Sequence, residues 1–218
     1  MTPSRPPTNK QTRRRGRVSD LPRLLAGWRC LDFANTIEGP ISNDPEDFLR
    51  DYGELVRWAW HAGAIDDVAA GEIQRVAAAD QTRARRAFAQ ALEMREAIDR
   101  TFRALAAGAA PPDEDLRVIR DEALEALRAA SLIRMGDRFG WTWREVADLR
   151  LPTWTAVTSA MELLTEGDLA RVKQCPGAGD CGWLFYDTSR NRSRRWCSME
   201  GCGSRVKMRR HYARHRPA

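Results

Sequence analysis

Four cysteines fall within 28 residues near the end of the chain, spaced Cys175-x5-Cys181-x15-Cys197-x4-Cys202. Two close pairs separated by a short stretch read as two knuckles delivered to one ion. Zinc takes four soft ligands at tetrahedral corners about 2.3 Å away, and a pair on a tight turn supplies two of them. Pro176, Gly177 and Gly179 provide the first turn, and Gly201 and Gly203 flank Cys202 so that backbone can pack near sulfur. Disulfides are the first rival, but no apolar leader follows the basic N-terminus. A second rival takes Cys197, Cys202, His211 and His215. It places only eight residues between Cys202 and His211, where a Cys2His2 finger has about 12, and it leaves Cys175 and Cys181 unused. A catalytic metal is the third rival. Four thiolates close the shell and leave no position for water, so the zinc is expected to be structural.

The surroundings agree with a small metal module. Trp183 to Tyr186 and Arg194 to Trp196 read as two strands joined by residues 187–193, and a basic helix follows from Cys202 to about His215. Knuckle, hairpin and helix in that order predict a treble-clef-like finger over 174–218. A segment of about 45 residues buries little, so ligation is expected to supply much of its folding energy. Cys30 stands far away in an apolar stretch and reads as a small buried hydrophobe.

Charge is divided along the chain. Residues 1–17 carry six basic and no acidic side chains, residues 18–170 carry 18 basic and 27 acidic, and residues 171–218 carry 12 basic and three acidic. A localised positive end is the footprint of a phosphate-bearing partner. Residues 1–19, rich in Pro, Thr, Ser and Arg, read as a disordered basic arm. No stretch approaches the ~20 apolar residues that span a bilayer, so no membrane partner and a cytoplasmic location are expected.

Residues 20–173 predict a mainly α domain with a small β-hairpin, α+β in class. The Trp28 to Thr36 segment is a strand or the first turn of a buried helix. Asp44 and Pro45 read as N-cap and first residue of a helix carrying Phe48, Leu49, Tyr52, Leu55, Val56 and Ala59, closed by Gly63. Further helices are predicted over 67–78, 82–107, 112–130 and 152–166, with a hairpin of 132–135 and 140–143 around Gly136 and Asp137. The tryptophans read as core. Asp32, Asn35 and Thr36, polar in an apolar setting, read as local backbone caps, with ligand contact as the alternative.

The run from Cys181 to Lys207 resembles the CGNR zinc finger, and Cys30-Leu-Asp-Phe-Ala-Asn-Thr36 resembles the opening of the ABATE domain that precedes it; Thr165 to Cys175 resembles their junction. The naming signature reads Cys202-Gly203-Ser204-Arg205 here, with serine in place of asparagine. The resemblance implies a stress-responsive transcription regulator whose N-terminal domain senses a small-molecule effector or mediates association, such as a homodimer.

The expected contacts with DNA are Arg190, Arg192, Arg194 and Arg195 on the hairpin turn and Arg205, Lys207, Arg209 and Arg210 on the helix, since guanidinium forks suit phosphate and guanine edges. RNA is the alternative partner, through stacking on Trp183, Phe185 and Tyr186, and a protein-docking face is another. An enzyme in the front domain is the last alternative. It finds no support in a GxSxG, an HExxH or a glycine-rich phosphate loop, and only three histidines are present.

Overall fold

A computed structural model describes residues 21–43, 45–143, 147–177 and 179–214. The proposed arm over 1–19, His215 and the helix start at Asp44 therefore lie outside the described residues. Among the described residues the elements run α1 (Arg29–Ala34), β1 (Ile37–Glu38), β2 (Glu46–Asp47), α2 (Tyr52–His61), α3 (Asp67–Ala79), α4 (Gln81–Ala106), α5 (Asp113–Ala129), β3 (Ser131–Met135), β4 (Arg138–Thr142), α6 (Leu151–Glu166), a 3₁₀ turn (Leu169–Arg171), β5 (Val172–Gln174), β6 (Leu184–Tyr186), a π-type turn (Met199–Gly203) and α7 (Ser204–Arg214). The fold is mainly helical, with three separate antiparallel strand pairs, and so α+β as expected.

Helix α4 is the axis. Its 26 residues span about 39 Å. Its Asp80 cap accepts from Arg83 N, and Ala84, Ala87, Ala91, Met94, Ile98 and Phe102 form its buried stripe. The stripe packs against α1, α2, α3, α5 and α6, and the same helix also contacts β5 and β6. Helix α6 is buried almost all round, from Leu151 to Leu163, because it passes between α1 and α5. Trp58 and Trp154 are fully buried, as core tryptophans should be, but Trp60 and Trp141 stand half exposed.

The second helix starts later than predicted. Asp51, not Asp44, caps α2, accepting from Glu54 N at 2.9 Å. Residues Glu46–Asp47 instead pair with Ile37–Glu38. Asp47 then receives both terminal nitrogens of the buried Arg95 at 2.7 Å. A buried guanidinium needs a carboxylate, and meeting that need holds this stretch extended where local signals favoured a helix.

The segment from Trp28 to Thr36 is helical, and its polar residues cap and tie backbone. Asp32 accepts from Leu25 N and Ala26 N at 2.9 and 3.0 Å. Thr36 Oγ1 donates to Phe33 O and accepts from Arg95. Asn35 reaches much further along the chain: its amide donates to Leu184 O and its Oδ1 accepts from Leu184 N, both at 2.8 Å. Cys30 is fully buried, and burial pushes its thiol up to about 12, so it is inert.

Candidate metal centre and its basic surroundings

Strands β5 and β6 pair in register from Val172↔Tyr186 to Gln174↔Leu184, and the turn between them is the first cysteine knuckle. Cys175 N donates to Trp183 O, and Gly182 N to Cys175 O. Gly177 has φ +49°, and a Cβ there would sit 2.6 Å from the Cys181 Cβ, so only glycine closes this turn.

The expected hairpin between the cysteine pairs does not form; residues 194–196 are not a strand. Both edges of β6 are already occupied. One pairs with β5, and the other is taken by Asn35 and by Ala26, whose carbonyl accepts from Tyr186 N. The chain after β6 is gathered instead by Asp187, which is fully buried. Its carboxylate accepts from Ser189 N and Oγ, Arg194 N and Lys173 Nζ. Burial alone would push that carboxyl up, but the Lys173 ammonium and the Ser189 donors outweigh it and hold it well below the usual carboxylate range. Sequence reading placed Asp187 in a turn but missed this role. Its signal was the Asp-x-Ser spacing, which lets a carboxylate bond its own backbone two residues on.

The second knuckle is short. Ser198 Oγ accepts from Gly201 N, Gly203 N donates to Ser198 O, and Ser204 Oγ donates to Met199 O as α7 begins. The serine that replaces asparagine in the signature thus closes the turn that carries Cys202 into the helix.

The sulfurs of Cys175, Cys181, Cys197 and Cys202 all lie within 4.8 Å of one another, and all four residues are buried. Cys181 to Cys197 is 3.7 Å and Cys197 to Cys202 is 3.6 Å. A tetrahedron with ~2.3 Å metal–sulfur bonds has edges of about 3.8 Å, so the donor set fits zinc. The crowding is also electrostatically strained without a cation. The Cys175 thiol is lowered by hydrogen bonds from Cys181 and Cys197, and Cys181 and Cys197 are pushed up, Cys175 being the main cause in each. One thiolate forbids the next, and a dication permits all four. All five cysteines are free thiols rather than disulfides. His211 packs edge-on against Tyr212 and takes no part in the cluster.

Around the sulfurs, Trp183 and Phe185 are buried in the same small cluster with Leu25, Phe48 and Trp196. They pack around the metal position rather than face a stacked base. Front-domain groups grip the first knuckle directly. Arg103 of α4 donates to Gly182 O at 2.9 Å, and Trp183 Nε1 donates to Ile37 O at 2.7 Å.

The eight basic residues expected at a nucleic acid divide into two sets. Arg194 is a structural residue: its guanidinium donates to Leu25 O, Trp196 O, Tyr186 O and Cys197 O and lies 4.6 Å over the Phe185 ring. Four of its five N–H donors are spent on carbonyls, which leaves little for phosphate. Arg192 pairs with Asp168 at 2.7 Å. Arg205 donates to the Cys202 sulfur at 3.2 Å and lies near Asp180, so it tempers the negative charge of the thiolates. Arg190, Arg195 and Lys207 are exposed, Arg195 stacking on Trp196. Arg209 is largely exposed and 3.6 Å from Asp180. Arg210 lies on α7, and its side chain is outside the described residues.

Among the described residues no helix is long and apolar enough to cross a membrane. Comparison with known families agrees with the geometry. The model of the CGNR zinc finger matches residues 171–215. The ABATE model, described as "Putative stress-induced transcription regulator", matches residues 27–167. Both are regulator or zinc-finger types, and neither is an enzyme family. No curated protein matches the chain. With most of its length under the second of these models and a four-cysteine zinc-binding site behind it, the chain belongs to the ABATE family and carries a C-terminal CGNR zinc finger.

Proposed function

We infer that the protein is a transcription regulator in which residues 174–218 bind duplex DNA and residues 20–173 receive the signal that governs binding. The observation that carries this reading is the set of exposed cations. Arg190 and Arg195 stand on the loop before the second knuckle, and Lys207 and Arg209 stand on the helix after it, so the four-sulfur site fixes both groups together. Such a constellation suits phosphate oxygens, with a short helix available for a groove. The zinc is structural, holding loop and helix in register. Burial of Trp183 and Phe185 argues against single-stranded RNA as the partner, because a stacking platform has to be open.

The test is titration of the zinc-loaded protein into labelled duplex fragments at about 50 and 200 mM salt. Saturable binding is expected, falling steeply with salt and lost after chelation. Arg195→Glu and Lys207→Glu are each expected to weaken binding at least tenfold and to flatten the salt dependence by about one charge. Absence of affinity for any duplex even at low salt would end this reading.

A further inference from the structure

Two clefts among the described residues are large enough for a small molecule. The larger, about 580 Å³ between α2 and α3, is lined by polar groups that already pair. Glu54 accepts from Arg50 and Arg57, and Trp60 Nε1 donates to Asp67. The second, about 500 Å³, lies between the start of α1, the loop before α3, the β3–β4 hairpin and the first turns of α6. Its size is that of ordinary ligand sites.

The second cleft has apolar walls and unmet polar demands. Ile65, Met135, Trp141 and Trp143 line it. Arg29 and Thr155 line it as well, and each carries a buried polar atom without a partner, Arg29 Nε and Thr155 Oγ1. Thr155 is only 7 % exposed. Arg29 is half-buried, and its electrostatic neighbour Asp32 already accepts from Leu25 N and Ala26 N. Asp66 also lines the cleft, but its carboxylate caps α3 by accepting from Ala69 N. A guanidinium taken partly out of water with its Nε unpartnered, beside an unsatisfied hydroxyl, is a cost the free protein carries. One ligand chemistry removes it: a carboxylate accepts from both groups, and an apolar body fills the space against the indoles.

We propose that this cleft binds a small carboxylic acid with an aromatic or branched apolar body, its carboxylate on Arg29 and Thr155 and its body against Trp141 and Trp143. The site rests on the reading of residues 20–173 as the part that receives a signal, but binding is measured on the protein alone. Failure to bind acids and failure to bind DNA are therefore separate results.

The experiment is calorimetric titration of the zinc-loaded full-length protein with phenylacetate, benzoate and isovalerate, and with phenylacetamide as the uncharged control, while indole fluorescence is followed. At least one acid is expected to bind saturably, tighter than about 1 mM, with a change in fluorescence, and the amide at least about tenfold more weakly. Arg29→Gln is expected to weaken acid binding about tenfold or more, and Arg29→Lys, which keeps the charge but not the fork, by less. Thr155→Val is expected to weaken binding about threefold while leaving the melting temperature of the free protein unchanged or raised, because it deletes an unpaired hydroxyl. Zinc content and circular dichroism verify each variant, and Arg29→Lys carries the test where Arg29→Gln does not fold. Binding by none of the three acids overturns the proposal. So does equal binding by the amide, binding unaltered by substitution at both Arg29 and Thr155, or a clear fall in melting temperature for Thr155→Val.

Discussion

Asn35 decides more about this molecule than its size indicates. Its amide satisfies both backbone groups of Leu184, and both residues are buried from solvent. Asn35→Ala leaves a buried N–H and C=O unpaired and is expected to lower unfolding free energy by about 2–4 kcal/mol, measured by urea titration of the zinc-loaded protein. Sequence alone marked Asn35 as polar in an apolar setting and assigned it a local role. Its partner lies 149 residues away, and no local pattern encodes that distance. Asp32 supplies a pH signature. Burial raises its carboxyl from 3.8 to about 6, more than the Ala26 and Leu25 N–H groups lower it. The folded state therefore binds this proton more tightly than the unfolded chain, and its contribution to stability is full below pH 4 and is lost as pH rises through 6. Asp32→Asn keeps an acceptor for the two N–H groups and removes the titration. Denaturation from pH 4 to 7 is expected to show a falling component in the wild type that is absent from the variant. Equal slopes would show that Asp32 ionises as an ordinary carboxylate.

Among the elements, long helices with uninterrupted apolar stripes were legible within a residue or two. Helix α4 was expected over 82–107 and is found at Gln81–Ala106; α5 and the β3–β4 hairpin are as close. The metal knuckles were legible because thiolate spacing reports chemistry directly. What failed was pairing. Arg194, Arg195 and Trp196 carry strand-compatible residues, but strand identity depends on a free edge, and β6 has none. Arg192, at φ +51°, turns the chain away, and Asp187 holds it there. Helix α7 shows the converse dependence. Its packing is against the π-type turn that carries Cys202, and Met208 and Tyr212 stand exposed on it. Cys202→Ser is expected to abolish stoichiometric zinc, measured by elemental analysis, and to release α7. Amide exchange over 188–214 should rise to that of an open segment while the amides of α4 keep their protection. Protection of α7 without zinc would mean that packing, not the ion, sets its position.

At the scale of the whole chain, the finger and the helical part share structure. Val172 and Leu184 sit in the main core, on strands either side of the first knuckle. Arg103, Ile37 and Ala26 bond the same hairpin from the front. A peptide of residues 174–218 alone lacks two residues of β5 and all of these anchors. It is expected to bind zinc at least about 100-fold more weakly than the full-length protein in a chelator competition, even though all four thiols are present. Equal affinity would show that the finger is autonomous.

The pair of hydrogen bonds between Asn35 and Leu184 also sets terms for anyone recombining such proteins. Cutting a finger from one relative and grafting it onto another severs a joint whose two halves lie 149 residues apart in the chain. A working graft has to bring the opening helix with it.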